Sequence, residues 1–145
     1  MKIVNRTQGT LLGSQISLAD TWWSRFRGYL GRSAPKAGEG ILLAPCSSIH
    51  TFGMVFPLDV VFLSSEGAVL DWREGVRPWR LCRGTDGSRY VLELPEGTVS
   101  ATRTTVGDEL SWTPERAAAW RRTPADSRAP VNNTLPNVAT RWRST

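Results

Sequence analysis

Short hydrophobic runs, separated by turns that contain glycine or proline, make up most of this chain. The pattern is clearest at Leu58–Leu63 and Tyr90–Leu94, where residues alternate between two faces as they do along a β-strand. In the first segment the even-numbered residues are all apolar, and the odd-numbered residues are Asp59, Val61 and Leu63. Because both faces are largely apolar, this segment is predicted to be a strand inside a sheet, buried on both sides.

Weaker patterns predict further short strands at Ile3–Val4, near Leu11–Leu12, and at Ile41–Leu43, Ile49–Met54, Ala68–Trp72 and Glu109–Trp112. Val76–Cys82 is predicted to be an edge or irregular strand, because Pro78 lacks the backbone N–H that a central strand needs. Many short strands with few helices indicate a mainly β fold, either a compact antiparallel β sandwich or a partly open barrel.

Two short helices are predicted. The first covers residues 20–30 and packs on a sheet, with Asp20 as N-cap and Gly31 as C′ residue. The second begins at Thr113, has Pro114 at its first position and ends at about Arg122. We therefore predict one β-rich domain over residues 1–112, followed by a C-terminal helix and an arginine-rich tail over residues 113–145.

The net charge of +5 lies mainly in the C-terminal segment. Residues 113–145 contain six Arg and two acidic residues, a net charge of 6 − 2 = +4, which leaves 5 − 4 = +1 for the first 112 residues. The main domain therefore shows no basic excess of the kind that binds nucleic acid, and any such contact is expected from the tail.

The sequence predicts a cytoplasmic protein with no membrane span. No apolar run approaches the roughly 18 residues that a membrane helix needs, and the N-terminal residues do not resemble a signal peptide. Cys46 and Cys82 are too few for a disulfide framework.

The segment from Cys46 to Asp59 contains most of the residue types that support chemistry. An isolated charge is costly to bury, so Asp59 is expected to hold Arg32 or loop N–H groups, to act as a ligand or general base, or to be exposed at the start of its strand. His50 is the only histidine. It forms a hydrogen bond to the backbone, contacts a ligand in a binding site, or is oriented by Asp59 for catalysis with Cys46 or water as nucleophile.

Two further side chains have alternative interpretations. Glu93 is expected to be solvated or paired with an arginine, since it alternates with apolar residues along its strand. Arg32 follows the first helix, and it is expected either to form an ion pair with Asp59 or Glu93 or to bind an anion.

Metal binding is a further interpretation of the same segment. Cys46, His50, Met54 and Cys82 offer thiol, imidazole and thioether groups, which soft metals such as Cu(I) prefer. Their spacing matches no standard zinc motif, and buried Cys and Met commonly fill hydrophobic cores. We therefore predict no metal site and no cofactor.

Several segments, in this order, resemble one known family: Arg25–Arg32, Gly40–Cys46, Ile49–Met54, Phe56–Leu63, Pro78-Trp79, Val91–Gly97 and Gly107-Asp108. Together they are similar to the bacterial and archaeal family called domain of unknown function 192 (DUF192), over roughly Arg25 to Leu110. The resemblance implies a compact β-rich sandwich with a short helix packed on it, and it implies no established activity.

Three hypotheses about function follow. The one we favour is a non-enzymatic binding module with a polar cleft that takes a small polar ligand or a protein partner. The second is a small hydrolase that uses His50 and Asp59. The third is an accessory factor that contacts nucleic acid or an assembly through the arginine-rich tail. The candidate binding residues are His50, Thr51, Asp59, Arg32, Cys46 and Met54.

Overall fold

The structure, a computed structural model, describes residues 1–113. This part of the chain forms ten strands and two short helices. In chain order they are β1 (Ile3–Asn5), β2 (Thr10–Gly13), β3 (Gln15–Ala19), α1 (Trp22–Arg27), β4 (Glu39–Leu43), β5 (Ser48–His50), β6 (Leu58–Leu63), β7 (Val69–Val76), β8 (Leu81–Arg83), β9 (Tyr90–Pro95), α2 (Thr98–Thr102) and β10 (Leu110–Trp112). The mainly β fold predicted from the sequence is confirmed.

A five-stranded sheet in the order β3-β4-β9-β6-β7 forms the centre of the domain. Every residue of β6 is buried, as the sequence predicted. β3 and β4 pair in parallel, whereas the other neighbours in this sheet are antiparallel. Parallel neighbours need a crossover connection, and residues 20–38, which include α1, provide it. The sheet is therefore mixed, not fully antiparallel.

A second layer covers one face of the central sheet. It consists of the three-stranded sheet β10-β1-β2 together with α2. Ile3, Leu12, Leu110 and Val99 from this layer share a hydrophobic core with one set of alternate residues from β6 and β9. These partners from the central sheet are Val61, Leu63, Tyr90, Leu92 and Leu94.

The opposite face is covered by the crossover and by the two-stranded sheet of β5 and β8. Here Tyr29, Ile49 and Met54 pack against the other set of alternate residues from the central sheet. These partners include Ile41, Leu43, Leu58, Val60, Phe62 and Val91. This is the face on which the candidate site lies.

The first helix is shorter than the sequence predicted. Thr21, not Asp20, is its N-cap: the Thr21 hydroxyl accepts from the Ser24 amide (3.1 Å), and the Ser24 hydroxyl accepts from the Thr21 amide (3.0 Å). The helix ends at Gly28, at a φ of 41° that glycine adopts without a side-chain clash, and so Gly31 does not terminate it. The short ending places Tyr29 against the sheet.

Two sequence predictions concern residues outside this description. The second helix, predicted from Thr113 to about Arg122, and the arginine-rich tail fall almost entirely beyond Thr113 and remain predictions. Within residues 1–113 no helix is long and apolar enough to cross a membrane.

Candidate functional site

A cavity of about 220 Å³ lies between the crossover, β5 and the central sheet. Its apolar lining residues are Leu30, Leu43, Ile49, Phe52 and Met54. Its polar lining residues are Arg25, Arg27, Tyr29, Cys46, Ser48, His50 and Glu93. The cavity thus combines apolar walls with a few convergent polar groups, as small-molecule sites do.

Glu93 is the buried acidic group of this cavity. It lies on β9, the middle strand of the central sheet, directly between Ile41 of β4 and Val60 of β6. This residue is 3% exposed, and its Oε2 atom has no hydrogen-bond partner among residues 1–113. The interpretation of Glu93 as a solvated residue is therefore wrong, because the crossover covers this face of the sheet.

Burial determines the protonation of Glu93. Removal from water raises the pKa of its carboxyl group to about 8, and the positive charge of Arg32 opposes this shift. At pH 7 the group is therefore mainly protonated. The neighbouring Tyr29 is also buried; its pKa is raised above the usual value by burial and, secondarily, by the charge of Glu93.

Two arginines of the helix line the cavity, the partly buried Arg25 and the exposed Arg27. Arg25 is fixed in place because its Nη1 atom donates to the carbonyl oxygens of Asp20 (2.9 Å) and Ala44 (3.4 Å). Arg27 is exposed to solvent. The cavity therefore has a cationic group at its solvent-exposed, outer end, the guanidinium of Arg27, and a carboxyl group at its buried, inner end, that of Glu93.

His50 lies at the edge of the cavity, at the end of β5. Its ring stacks on the ring of Phe52, with the ring centroids 5.4 Å apart. The ring centroids of Phe52 and Trp79 are 6.1 Å apart. Phe52 is 46% exposed and Trp79 is 65% exposed. The imidazole therefore connects the cavity to an aromatic surface.

Cys46 and Met54 also line the cavity. The Cys46 thiol donates to the carbonyl oxygen of Ser48 (3.0 Å), and burial raises its pKa, so the reactive thiolate is disfavoured at neutral pH. Met54 is part of the hydrophobic core. In the described part of the chain, no three His, Cys, Asp or Glu side chains are arranged to hold a metal ion.

Asp59 does not line this cavity. It is 0% exposed, and its side chain leaves the opposite face of the sheet, the face covered by α2. Its Oδ1 atom accepts from the Gly75 amide (2.9 Å), and its Oδ2 atom accepts from the Val99 amide at the start of α2 (2.9 Å). The structure therefore separates Asp59 from His50 by the thickness of the sheet. Asp59 holds backbone N–H groups, as expected, but these belong to β7 and α2 and not to a loop.

Thr51 and Arg32 are not among the residues that line the cavity. The buried Thr51 hydroxyl donates to the carbonyl oxygen of Arg77 (2.8 Å) and accepts from the Arg80 amide (2.9 Å), which holds the turn before β8. Arg32 is exposed, and among residues 1–113 it forms no ion pair with Asp59 or Glu93. Its link to the cavity is its electrostatic effect on Glu93.

The structure thus brings three of the six predicted site residues, Cys46, His50 and Met54, to one cavity. Sequence reasoning did not single out Glu93, Arg25, Arg27 or Tyr29 as residues of the site. One signal was available for Glu93: like Asp59, it is an acidic residue within an otherwise apolar strand.

Comparison with known proteins extends the sequence resemblance. Residues 3–112 match the DUF192 family, described as uncharacterized ACR, so the match extends beyond the segment from Arg25 to Leu110. A UPF0127 protein of Thermococcus kodakarensis is 34% identical over 116 residues, which cover 77% of this chain and 73% of that protein. A UPF0127 protein of Pyrococcus abyssi is 31% identical over 113 residues, which cover 76% of this chain and 96% of that protein.

Two crystal structures share the fold. A protein of unknown function from Novosphingobium aromaticivorans has a TM-score of 0.69 at 21% identity and covers 77% of this chain and 84% of its own. A Sinorhizobium meliloti protein has a TM-score of 0.67 at 23% identity and covers 76% of this chain and 89% of its own. With the family match over nearly all of the described residues, these comparisons show that the chain belongs to the DUF192 family.

Proposed function

We propose that this protein is a binding protein that takes a small organic ligand in the cavity lined by Glu93. The observation that carries the proposal is Glu93: this residue lines the cavity and is 97% buried, and no residue in the described part of the chain bonds to its Oε2 atom, which is itself buried. An apolar residue at this position would avoid a cost in stability, because an unsatisfied buried polar group lowers the free energy of unfolding by about 1–3 kcal/mol. Groups of this kind concentrate at functional sites.

The size of the cavity supports a small ligand. An engineered cavity of about 150 Å³ in another protein binds benzene, and the cavity here is about 220 Å³. A ligand somewhat larger than benzene therefore fits, with its apolar part against Leu43, Ile49 and Met54. Its polar groups would meet Glu93 inside and Arg27 outside.

Binding is favoured over hydrolysis by two observations. A hydrolase that uses His50 and Asp59 needs both side chains at one pocket, and the central sheet lies between them. The alternative nucleophile, Cys46, has a raised pKa, and its thiol donates a hydrogen bond to a backbone carbonyl.

We also propose a cytoplasmic location, which the free thiols of Cys46 and Cys82 support, since free thiols are typical of reducing compartments.

A thermal-shift screen on a pair of matched variants tests this function. Ser48 is exposed and lines the cavity, so Ser48→Trp should close its mouth; Ser100→Trp adds the same side chain on α2, at the other face of the sheet. Amines, carboxylic acids, amino acids, sugars and nucleosides are the probes. A ligand of this cavity should raise the melting temperature of wild type and Ser100→Trp by several degrees at about 100 times its Kd, but not that of Ser48→Trp. Equal shifts in all three proteins would place binding elsewhere and contradict the proposal.

A further inference from the structure

We infer that the ligand of this cavity is a small zwitterion of the amino acid class, with its ammonium group on Glu93 and its carboxylate on Arg27. This inference rests on the proposed function and specifies the ligand. It follows from the charges at the two ends of the cavity, from the missing hydrogen-bond donor at Glu93, and from the missing acidic partner at the arginines.

The inner end lacks a hydrogen-bond donor. Glu93 is flanked in the sheet by Ile41 and Val60, and no described residue donates to its Oε2 atom. An ammonium group supplies three donors and a positive charge, and a charge-assisted hydrogen bond is roughly twice as strong as a neutral one. Tyr29 and Phe52 add aromatic rings to the same cavity, which also favour a bound cation.

The outer end has cationic groups and no acidic partner among its lining residues. Arg25 and Arg27 contribute two positive charges, so the lining carries a net charge of +2 while Glu93 is protonated and of 2 − 1 = +1 when Glu93 is ionised. A simple amine is therefore repelled by the outer end, and a simple carboxylic acid meets another carboxyl group at the inner end. A zwitterion complements both ends, and the exposed guanidinium of Arg27, which forms no ion pair within residues 1–113, can bind a carboxylate with two parallel hydrogen bonds.

Ligand binding should release a proton. Glu93 is mainly protonated at pH 7 because burial raises its pKa to about 8, whereas pairing with an ammonium group requires the ionised form. The proton leaves to solvent, so the affinity should rise with pH up to about 8. The other titratable or charged groups around this carboxyl are Arg25, Arg27, Tyr29, Arg32, Cys46 and His50. A His50→Gln variant separates the contribution of the histidine among them from that of Glu93.

Isothermal titration calorimetry on the full chain at pH 6, 7 and 8 tests the inference. The probes share one carbon skeleton: L-leucine, 3-methylbutylamine, which lacks the carboxylate, and 4-methylpentanoic acid, which lacks the amine; L-alanine and L-valine test size. An amino acid should bind at least tenfold more tightly than the matching amine and acid, with an affinity that increases from pH 6 to 8 in wild type and in His50→Gln.

Two variants test the two ends. Glu93→Gln removes the charge but keeps the shape, and it should weaken amino acid binding at pH 8 by tenfold or more and abolish the rise with pH. Arg27→Gln should weaken binding of the amino acid and leave binding of the amine unchanged or stronger. Their controls, Glu109→Gln and Arg6→Gln, change exposed residues of the layer on the opposite face of the sheet and should match wild type.

The outcomes distinguish this inference from the function on which it rests. If an acid binds best and its affinity falls above pH 8, Glu93 acts as a neutral donor and the inference is wrong. If the amine binds as tightly as the amino acid, or if none of the three amino acids binds at millimolar concentration, it is wrong as well. In each case the proposed function survives if another probe stabilises wild type but not Ser48→Trp, and it fails if none does.

Discussion

Asp59 and Glu93 lie on neighbouring strands of one sheet, and their side chains leave it from opposite faces. Both are almost fully buried. Both oxygens of Asp59 accept backbone hydrogen bonds, whereas Oε2 of Glu93 has no partner in the part of the chain that the structure describes. The same residue class in the same sheet thus has two environments: one carboxyl group ties β7 and α2 to the sheet, and the other lines the cavity.

Replacing Asp59 should destabilise the domain without changing its site. In Asp59→Asn the amide nitrogen would face the backbone N–H of Gly75 or Val99, leaving that donor unsatisfied in the core. We expect a loss of about 2–4 kcal/mol in the free energy of unfolding. Urea unfolding measures it, and ligand affinity below the unfolding transition should be unchanged. A loss under about 0.5 kcal/mol would show that these two hydrogen bonds do not hold α2 and β7.

Glu93 should make the domain less stable as the pH rises. Its pKa is about 8 in the folded protein and 4.5 in a solvated chain, so between these values the folded state retains a proton that the unfolded state has released. Stability should therefore fall from pH 4.5 to 8 and level off above that, by at most about 5 kcal/mol at about 1.4 kcal/mol per unit of pKa.

The comparison with Glu93→Gln isolates this effect. The amide does not titrate, so the variant should become more stable than wild type as the pH increases, and the difference should reach a plateau above pH 8. Urea unfolding at pH 5, 6, 7, 8 and 9 gives the difference, and Glu109→Gln is the exposed control. A difference that stays constant with pH would mean that Glu93 is ionised in the folded protein.

The sequence predicted the strands better than it predicted the site, and Glu93 shows why. Alternation identified β9 and the two faces of β6, because a strand fixes the direction of each side chain. Alternation does not reveal what covers a face. The cover over Glu93 comes from the crossover between β3 and β4. The sequence analysis did not predict β3, a five-residue strand of which only two residues are buried. Without that parallel pair, nothing in the sequence places Tyr29 over β9.

Thr51 should be important for the turn that carries Trp79. Its hydroxyl bonds the carbonyl of Arg77 and the amide of Arg80, and Thr51→Val keeps the shape but removes both bonds. We expect a loss of about 1–3 kcal/mol and faster hydrogen exchange at the Arg80 amide. Thr85→Val, a change of the same type in an exposed turn, is the control. Unchanged protection of Arg80 in Thr51→Val would contradict this role.

Gly28 joins the end of the helix to the cavity, and Gly28→Ala should weaken both folding and ligand binding. Its φ is +41°, which strains any residue with a Cβ atom, and an added Cβ would lie 3.3 Å from Oε2 of Glu93. We expect a loss of about 1–2 kcal/mol in the free energy of unfolding, measured in urea, from backbone strain. We also expect at least a tenfold loss of affinity for any ligand that reaches Glu93, because the new methyl group occupies the space beside that oxygen. Gly31→Ala is the matched control: Gly31 also has a positive φ, of 70°, but an added Cβ there would have no atom within 4 Å. That variant should lose stability and keep its affinity, whereas equal affinity in both variants would show that the ligand does not approach Glu93.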